Sequence, residues 1–238
     1  MLGKKGIFIL LFLILISIIC VLSFKYISLS NKIKQQQTKK IIKKEVKSNF
    51  KKDFDSNENI VFFGDSITYI YPIEEIYDNN KIIRSGVSGY TTTDLLDNIE
   101  EMLYQYNPTK VFLLIGTNDI MSDDSEKKQE ETVENIKKIY REIRKNRPKA
   151  KIYIESIYPV NKELNEKMVR NRNNEAIKNI NREIEKFCEK EKITYIDLFN
   201  ELVDDNGNFD EKYTGDGLHP VDLGYAKITK LLLPYIYE

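Results

Sequence analysis

Histidine is almost absent from this 238-residue chain: His219 is the only one. Any reaction needing an imidazole base near neutral pH must therefore use that residue. Cysteine is scarce too. Of the two present, Cys20 lies inside an apolar N-terminal run and Cys188 far from it, which argues against an intrachain disulfide or a cysteine-based metal site. An excess of one charge is also lacking. Lys+Arg and Asp+Glu both total 37, so no basic footprint points to nucleic acid, and none is expected as a partner. No internal repeat is visible. The length suits one α/β domain with an appendage and is marginal for two full domains.

The one long hydrophobic run is N-terminal. From Ile7 to Phe24 the chain is almost entirely Ile, Leu, Phe and Val, preceded by Lys4 and Lys5. At 1.5 Å per residue it spans about 27 Å, close to the thickness of a hydrocarbon core. It is long for a signal-peptide core, and no small-x-small cleavage site follows, so residues 1–24 read as an uncleaved signal anchor that puts 7–24 in a bilayer. Lipid attachment at Cys20 is disfavoured because Ile19 precedes it. Residues 25–58 are rich in Lys, Gln, Asn and Ser with thin apolar content, and read as a polar stalk with partial helical character. The lysine excess on this flank would by itself retain the following domain in the cytoplasm. A short basic segment running straight into an apolar one is, however, how export signals begin, and long domains translocate largely regardless of charge. The expectation is a single-pass cell-membrane protein with its folded domain outside.

Residues 59–238 carry the pattern of a folded domain. Ile60 to Phe63, Lys81 to Arg84, Lys110 to Ile115, Lys151 to Ile157 and Ile193 to Leu198 are short apolar runs of the kind found in strands buried on both faces. Helical spacing of apolar residues separates them: Leu95 to Leu103 after the caps Thr91 to Thr93, Val133 to Ile143, Ile177 to Phe187, and finally Tyr225 to Tyr235. Tyr69 to Asn80, interrupted by Pro72, reads as a broken helix or loop. Strands alternating with helices predict βαβ units and a five-stranded parallel sheet between helical layers. The turns Gly64-Asp65-Ser66, Gly86-Val87-Ser88-Gly89 and Gly116-Thr117-Asn118-Asp119 each follow a strand, so a parallel sheet brings them to one edge.

Ser66 stands where a central strand hands over to a helix start, a place suited to a nucleophile, although Ser and Asp also cap helices there. Near the C-terminus, Asp216-Gly217-Leu218-His219-Pro220 sets an acid three residues before the histidine, close enough to hold Nδ1–H and leave Nε2 free as a base. Ser88 is not in a Gly-x-Ser-x-Gly elbow, since Tyr90 occupies the last position. Asp119 reads as a loop-holding acid and Cys188 as a core residue.

These blocks, in this order, resemble the SGNH hydrolases, also called the GDSL esterase and lipase family, from Asn59 to the C-terminus. Gly64-Asp65-Ser66-Ile67 is similar to the nucleophile block, with Ile67 in place of leucine. Gly89 and Asn118 match the two blocks that serve the oxyanion hole, and Asp216 to Pro220 matches the final Asp-x-x-His block. The resemblance implies a flavodoxin-like three-layer α/β/α sandwich. It implies an esterase with Ser66, His219 and Asp216 as catalytic residues and an oxyanion hole of Ser66 N–H, Gly89 N–H and the Asn118 amide, with no metal or organic cofactor. The expected substrate is an ester of an acylated carbohydrate or a lipid, with a short acyl group such as acetyl favoured. Transfer of the acyl group to a cell-wall glycan, or lysophospholipase or lipase action, would use the same residues. A flavodoxin-like module binding phosphate or FMN is the non-enzymatic alternative.

Overall fold

The computed structural model describes residues 4–49, 58–77 and 81–238. Residues 50–57 of the expected stalk and 78–80 of the expected loop lie outside these.

Helix α1 (Lys4–Asn49) contains the apolar run and continues through the polar stretch as far as Asn49. No Gly or Pro falls between residues 7 and 49, and Lys, Gln, Glu and Leu are good helix formers, so nothing local stops it. Its segment Phe12–Lys34, with mean hydropathy 2.4, is long and apolar enough to cross a membrane.

The folded domain is a five-stranded parallel sheet in the order β2-β1-β3-β4-β5, built from β1 (Ile60–Gly64), β2 (Ile82–Gly86), β3 (Lys110–Leu114), β4 (Lys151–Glu155) and β5 (Thr194–Ile196). This is the expected flavodoxin-like order, with the reversal between β1 and β3. Every residue of β1 and β3 is buried because helices cover both faces. Side chains alternate between two cores. Val61, Phe63, Val111, Leu113, Ile152 and Ile154 meet helices α4 (Thr92–Asp97), α6 (Glu126–Asn146) and α8 (Asn174–Glu191). Ile60, Phe62, Phe112, Leu114 and Tyr153 meet α3 (Ile73–Tyr77), α9 (Phe199–Leu202) and α10 (Asp222–Tyr237). On the second face Phe62, Phe112 and Tyr153 are register partners across three strands. Their rings stack at 4.8 and 4.6 Å between centroids, which ties the central strands together.

Several boundaries differ from expectation. Strand β2 runs two residues further, through Ser85 and Gly86, so its turn begins at Val87. Strand β4 ends at Glu155 because the Asn181 side chain takes over the backbone of Ile157, accepting from its N–H at 2.8 Å and donating to its carbonyl at 2.9 Å. The expected single helix to Leu103 is instead α4 and α5 (Ile99–Met102), divided at Asn98, whose amide donates to Asp94 O. The expected cap holds: Thr91 and Asp94 form a capping box.

Candidate active site

The turn after β1 is shaped by a close approach. A Cβ on Gly64 would sit 2.1 Å from the Leu114 carbonyl oxygen on the neighbouring strand, so only glycine lets the two chains pass. Asp65 then caps α2 (Ser66–Tyr69), its Oδ1 accepting from Ile67 N–H at 2.9 Å. Because Asp65 takes the cap, the Ser66 hydroxyl is left for another partner. That partner is His219, with Oγ and Nε2 3.0 Å apart.

The loop carrying His219 is held by polar contacts. Asp216 Oδ2 lies 2.8 Å from His219 Nδ1, and its Oδ1 accepts from the backbone N–H groups of Leu218 and His219 at 2.9 and 2.7 Å. Burial raises the Asp216 carboxyl, but the hydrogen bonds from the ring and backbone of His219 and from Leu218 outweigh it and hold the carboxyl below its usual range. An ionised carboxylate only accepts, so Nδ1 carries the proton and Nε2 presents its lone pair to the Ser66 O–H. Gly217, at φ +76°, brings its Cα so close to the chain after β4 that a Cβ would be 2.0 Å from Asn161 O. Asn161 N–H donates to Gly217 O at 2.8 Å, and Thr214 Oγ1 donates to His219 O at 2.8 Å while accepting from Gly217 N–H at 3.0 Å.

The turns after β2 and β3 complete the cleft. Gly64, Gly86 and Leu114 are register partners, so the three strands end together. Ser66, Gly89, Asn118 and His219 all line one cleft of about 460 Å³, with Met121, Met168 and Leu218 as its apolar wall. Among the described residues, neither the Ser66 N–H nor the Gly89 N–H donates to a protein acceptor. Asn118 Nδ2 donates to Tyr90 O at 2.9 Å. Asp119 does hold the loop, accepting from the N–H and hydroxyl of Thr92 at the start of α4. Burial raises its carboxyl, and the Thr92 bonds offset this only in part. Among the described residues no group of three or more His, Cys, Asp and Glu is placed to hold a metal. Cys188 is buried in the core and Cys20 is exposed on α1.

Ser66, His219 and Asp216 thus form a hydroxyl, imidazole and carboxylate chain opening into a cleft. Such a chain lets an imidazole take a hydroxyl proton as the oxygen attacks an electrophile. The sequence pattern assigns no contact with Asn118 or His219 to Arg172, Thr214 or Tyr90. Arg172 is 3 % exposed and donates through Nη2 to Asn118 Oδ1 at 2.6 Å. Nothing in its immediate sequence distinguishes it from the solvated cations beside it.

Comparison with known proteins identifies the family and the fold. The sequence model of the GDSL-like lipase/acylhydrolase family matches residues 62–227. A solved structure from Streptococcus pneumoniae, named "a putative platelet activating factor", superposes with a TM-score of 0.69 at 31% identity, covering 91% of this chain and 99% of that one. A GDSL-like lipase from Bacteroides thetaiotaomicron gives 0.68 at 24% identity, covering 82% and 96%, a likeness of fold. An N-acylneuraminate cytidylyltransferase of Escherichia coli is 30% identical over 176 residues, 73% of this chain; the chain spans about two fifths (39%) of that protein. The chain belongs to the GDSL-like lipase/acylhydrolase family of ester-hydrolysing serine hydrolases.

Proposed function

We propose that this protein hydrolyses short-acyl carboxylic esters, acetyl esters foremost, with Ser66 as nucleophile, His219 as general base and acid, and Asp216 as the group that orients the imidazole. The observation that carries this is the 3.0 Å approach of Ser66 Oγ to His219 Nε2, continued at 2.8 Å to Asp216. Oγ bonds to the acyl carbon as its proton passes to Nε2. The C–O bond to the alcohol then breaks, and the alcohol leaves with the proton from His219. Water repeats the sequence on the acyl-enzyme and restores Ser66. The oxyanion formed in each half is met by the N–H groups of Ser66 and Gly89 and by the Asn118 amide.

The cleft holds about 460 Å³ and has Met121, Met168 and Leu218 as its apolar wall. A long chain would gain about 0.8 kcal/mol for each methylene buried against it, so the acyl-length series below decides the short-acyl reading. The His219 side chain is 22 % exposed, so water can reach the base that would activate it. The substrate is an acylated carbohydrate or lipid outside the cell, with residues 7–24 anchoring the chain in the membrane by one pass. A phosphate- or FMN-binding module would leave the pairing of His219 with Ser66 without a role.

The test is Ser66→Ala in the full-length chain in detergent micelles, assayed on 4-nitrophenyl acetate. The expected outcome is a fall in kcat of at least about 10³-fold; activity near wild type would refute the assignment. A series of acyl lengths on the wild-type enzyme checks the short-acyl preference, and product analysis with an added glycan acceptor separates hydrolysis from transfer.

A further inference from the structure

We propose that Arg172 is a positioning residue of this site: its guanidinium fixes the Asn118 side chain with one amide N–H turned to the reacting oxygen, and polarises that N–H. The inference rests on the reading of Asn118 as an oxyanion donor.

The orientation of an asparagine amide is decided by its partners. Arginine only donates and a carbonyl only accepts. With Nη2 of Arg172 2.6 Å from Oδ1, and Tyr90 O 2.9 Å from Nδ2, turning the amide over would face donor to donor on one side and acceptor to acceptor on the other. Asn118 is therefore locked at both ends. One of its N–H bonds is taken by Tyr90, and the second remains for whatever occupies the cleft that Asn118 lines together with Ser66 and His219. A cation bound to the amide oxygen draws electron density toward it, which makes the remaining N–H a stronger donor.

The backbone is bent to bring Arg172 there. After α7 (Glu166–Val169) the chain reverses through Arg170, at φ 58° and ψ −128°, with Arg172 N–H donating to Val169 O at 3.3 Å. This is a type II′ turn, whose first central position normally takes glycine. Such a conformation persists in another residue only where the surroundings over-determine it. Here they do. Arg172 Nε donates to Thr117 O at 2.9 Å, and Nη1 donates to Met168 O and Val169 O at 3.2 and 3.1 Å, so the guanidinium ties α7 to the turn after β3 that holds Asn118. A lysine has no fork with which to reach these acceptors together.

A staple that only stabilised the fold would make the same contacts, so the test is a double-mutant cycle. Asn118→Ala, Arg172→Met and the double variant of the full-length chain are assayed on 4-nitrophenyl acetate. Asn118→Ala is expected to lower kcat by about 10² to 10³-fold. Arg172→Met is expected to lower kcat by at least about tenfold with little change in KM, yet to cost less than about twofold in the Asn118→Ala background. If Arg172→Met does not fold, Arg172→Lys replaces it. That variant keeps the charge and one donor and is expected to show the same non-additivity with a smaller loss. An equal loss from the Arg172 variant in both backgrounds, or no loss in either, overturns the proposal alone. Wild-type kcat in Asn118→Ala removes the oxyanion reading itself, and the proposal with it.

Discussion

Asp65 stands beside the proposed nucleophile with a carboxyl that the fold disfavours as an anion. It is 1 % exposed, Oδ1 accepts one backbone N–H, and Oδ2 has no hydrogen-bond partner among the described residues. Burial raises this carboxyl from 3.8 to about 7, and the charge of Asp119 pushes the same way. The Ile67 N–H and the charge of Arg172 resist only in part. Below pH 3.8 the folded and unfolded chains both hold the proton, and Asp65 has no effect on the pH dependence. Between 3.8 and about 7 the folded chain keeps a proton that the unfolded chain has released, so stability falls as pH rises, by about 1.4 kcal/mol per pH unit. Over roughly three units the loss is about 4 kcal/mol, levelling above pH 7. Asp65→Asn keeps the Oδ1 acceptor and removes the titration. Urea unfolding of the full-length chain followed by circular dichroism at pH 4.5, 5.5, 6.5 and 7.5 would measure it. Glu155, fully buried and also raised to about 7 by burial, against the hydrogen bond it accepts from Tyr158, contributes its own decline to both proteins. The difference between wild type and variant therefore isolates Asp65. The variant should gain stability relative to wild type by about 3 to 4 kcal/mol on going from pH 4.5 to 7.5, and parallel profiles would refute the reasoning.

Two substitutions probe the His219 loop. Gly217→Ala introduces a Cβ 2.0 Å from Asn161 O at a position with φ +76°. The strain alone costs about 1 to 2 kcal/mol, and the loop must also move, so both the thermal midpoint and kcat should fall; unchanged kcat would show that loop position is not critical. Asp216→Asn places an amide where His219 Nδ1–H needs an acceptor, favouring the tautomer whose Nε2 carries the proton and cannot take one from Ser66. Steady-state kinetics should show a fall in kcat on the order of 10⁴-fold.

The sheet was legible because its central strands are buried on both faces, which makes an unbroken apolar run such as Val111-Phe112-Leu113-Leu114-Ile115 between Lys110 and Gly116. Of the residues that the sequence blocks contain, Ser66, Gly89, Asn118 and His219 line one cleft, and Asp216 contacts His219 at Nδ1. Elements of about one turn were not legible: α7 and α9 are four residues long and carry too little of a helical period to be recognised. The break in the helix after Thr91 turns on one amide at Asn98, and the helicity of residues 25–49 on a composition that suits both a solvated spacer and a helix. Arg172 was hidden for a different reason. Its role depends on Asn118, 54 positions away, and a buried arginine has the same letter as an exposed one.

The two halves of the site differ in what secures them. Ser66, Gly89 and Asn118 follow parallel strands whose ends are in register, so their meeting follows from topology and from the apolar cores that hold the sheet together. His219 follows no strand. Its loop reaches Ser66, 153 positions earlier, through Thr214, Asp216 and the backbone contact of Gly217 with Asn161. A polar network of this kind gives direction where apolar packing gives only proximity. It also fails by single bonds, since removing one partner leaves another buried group unpaired. Changes in the cores should therefore lower stability before they touch the chemistry, whereas changes in residues 214–219 should reach the chemistry first.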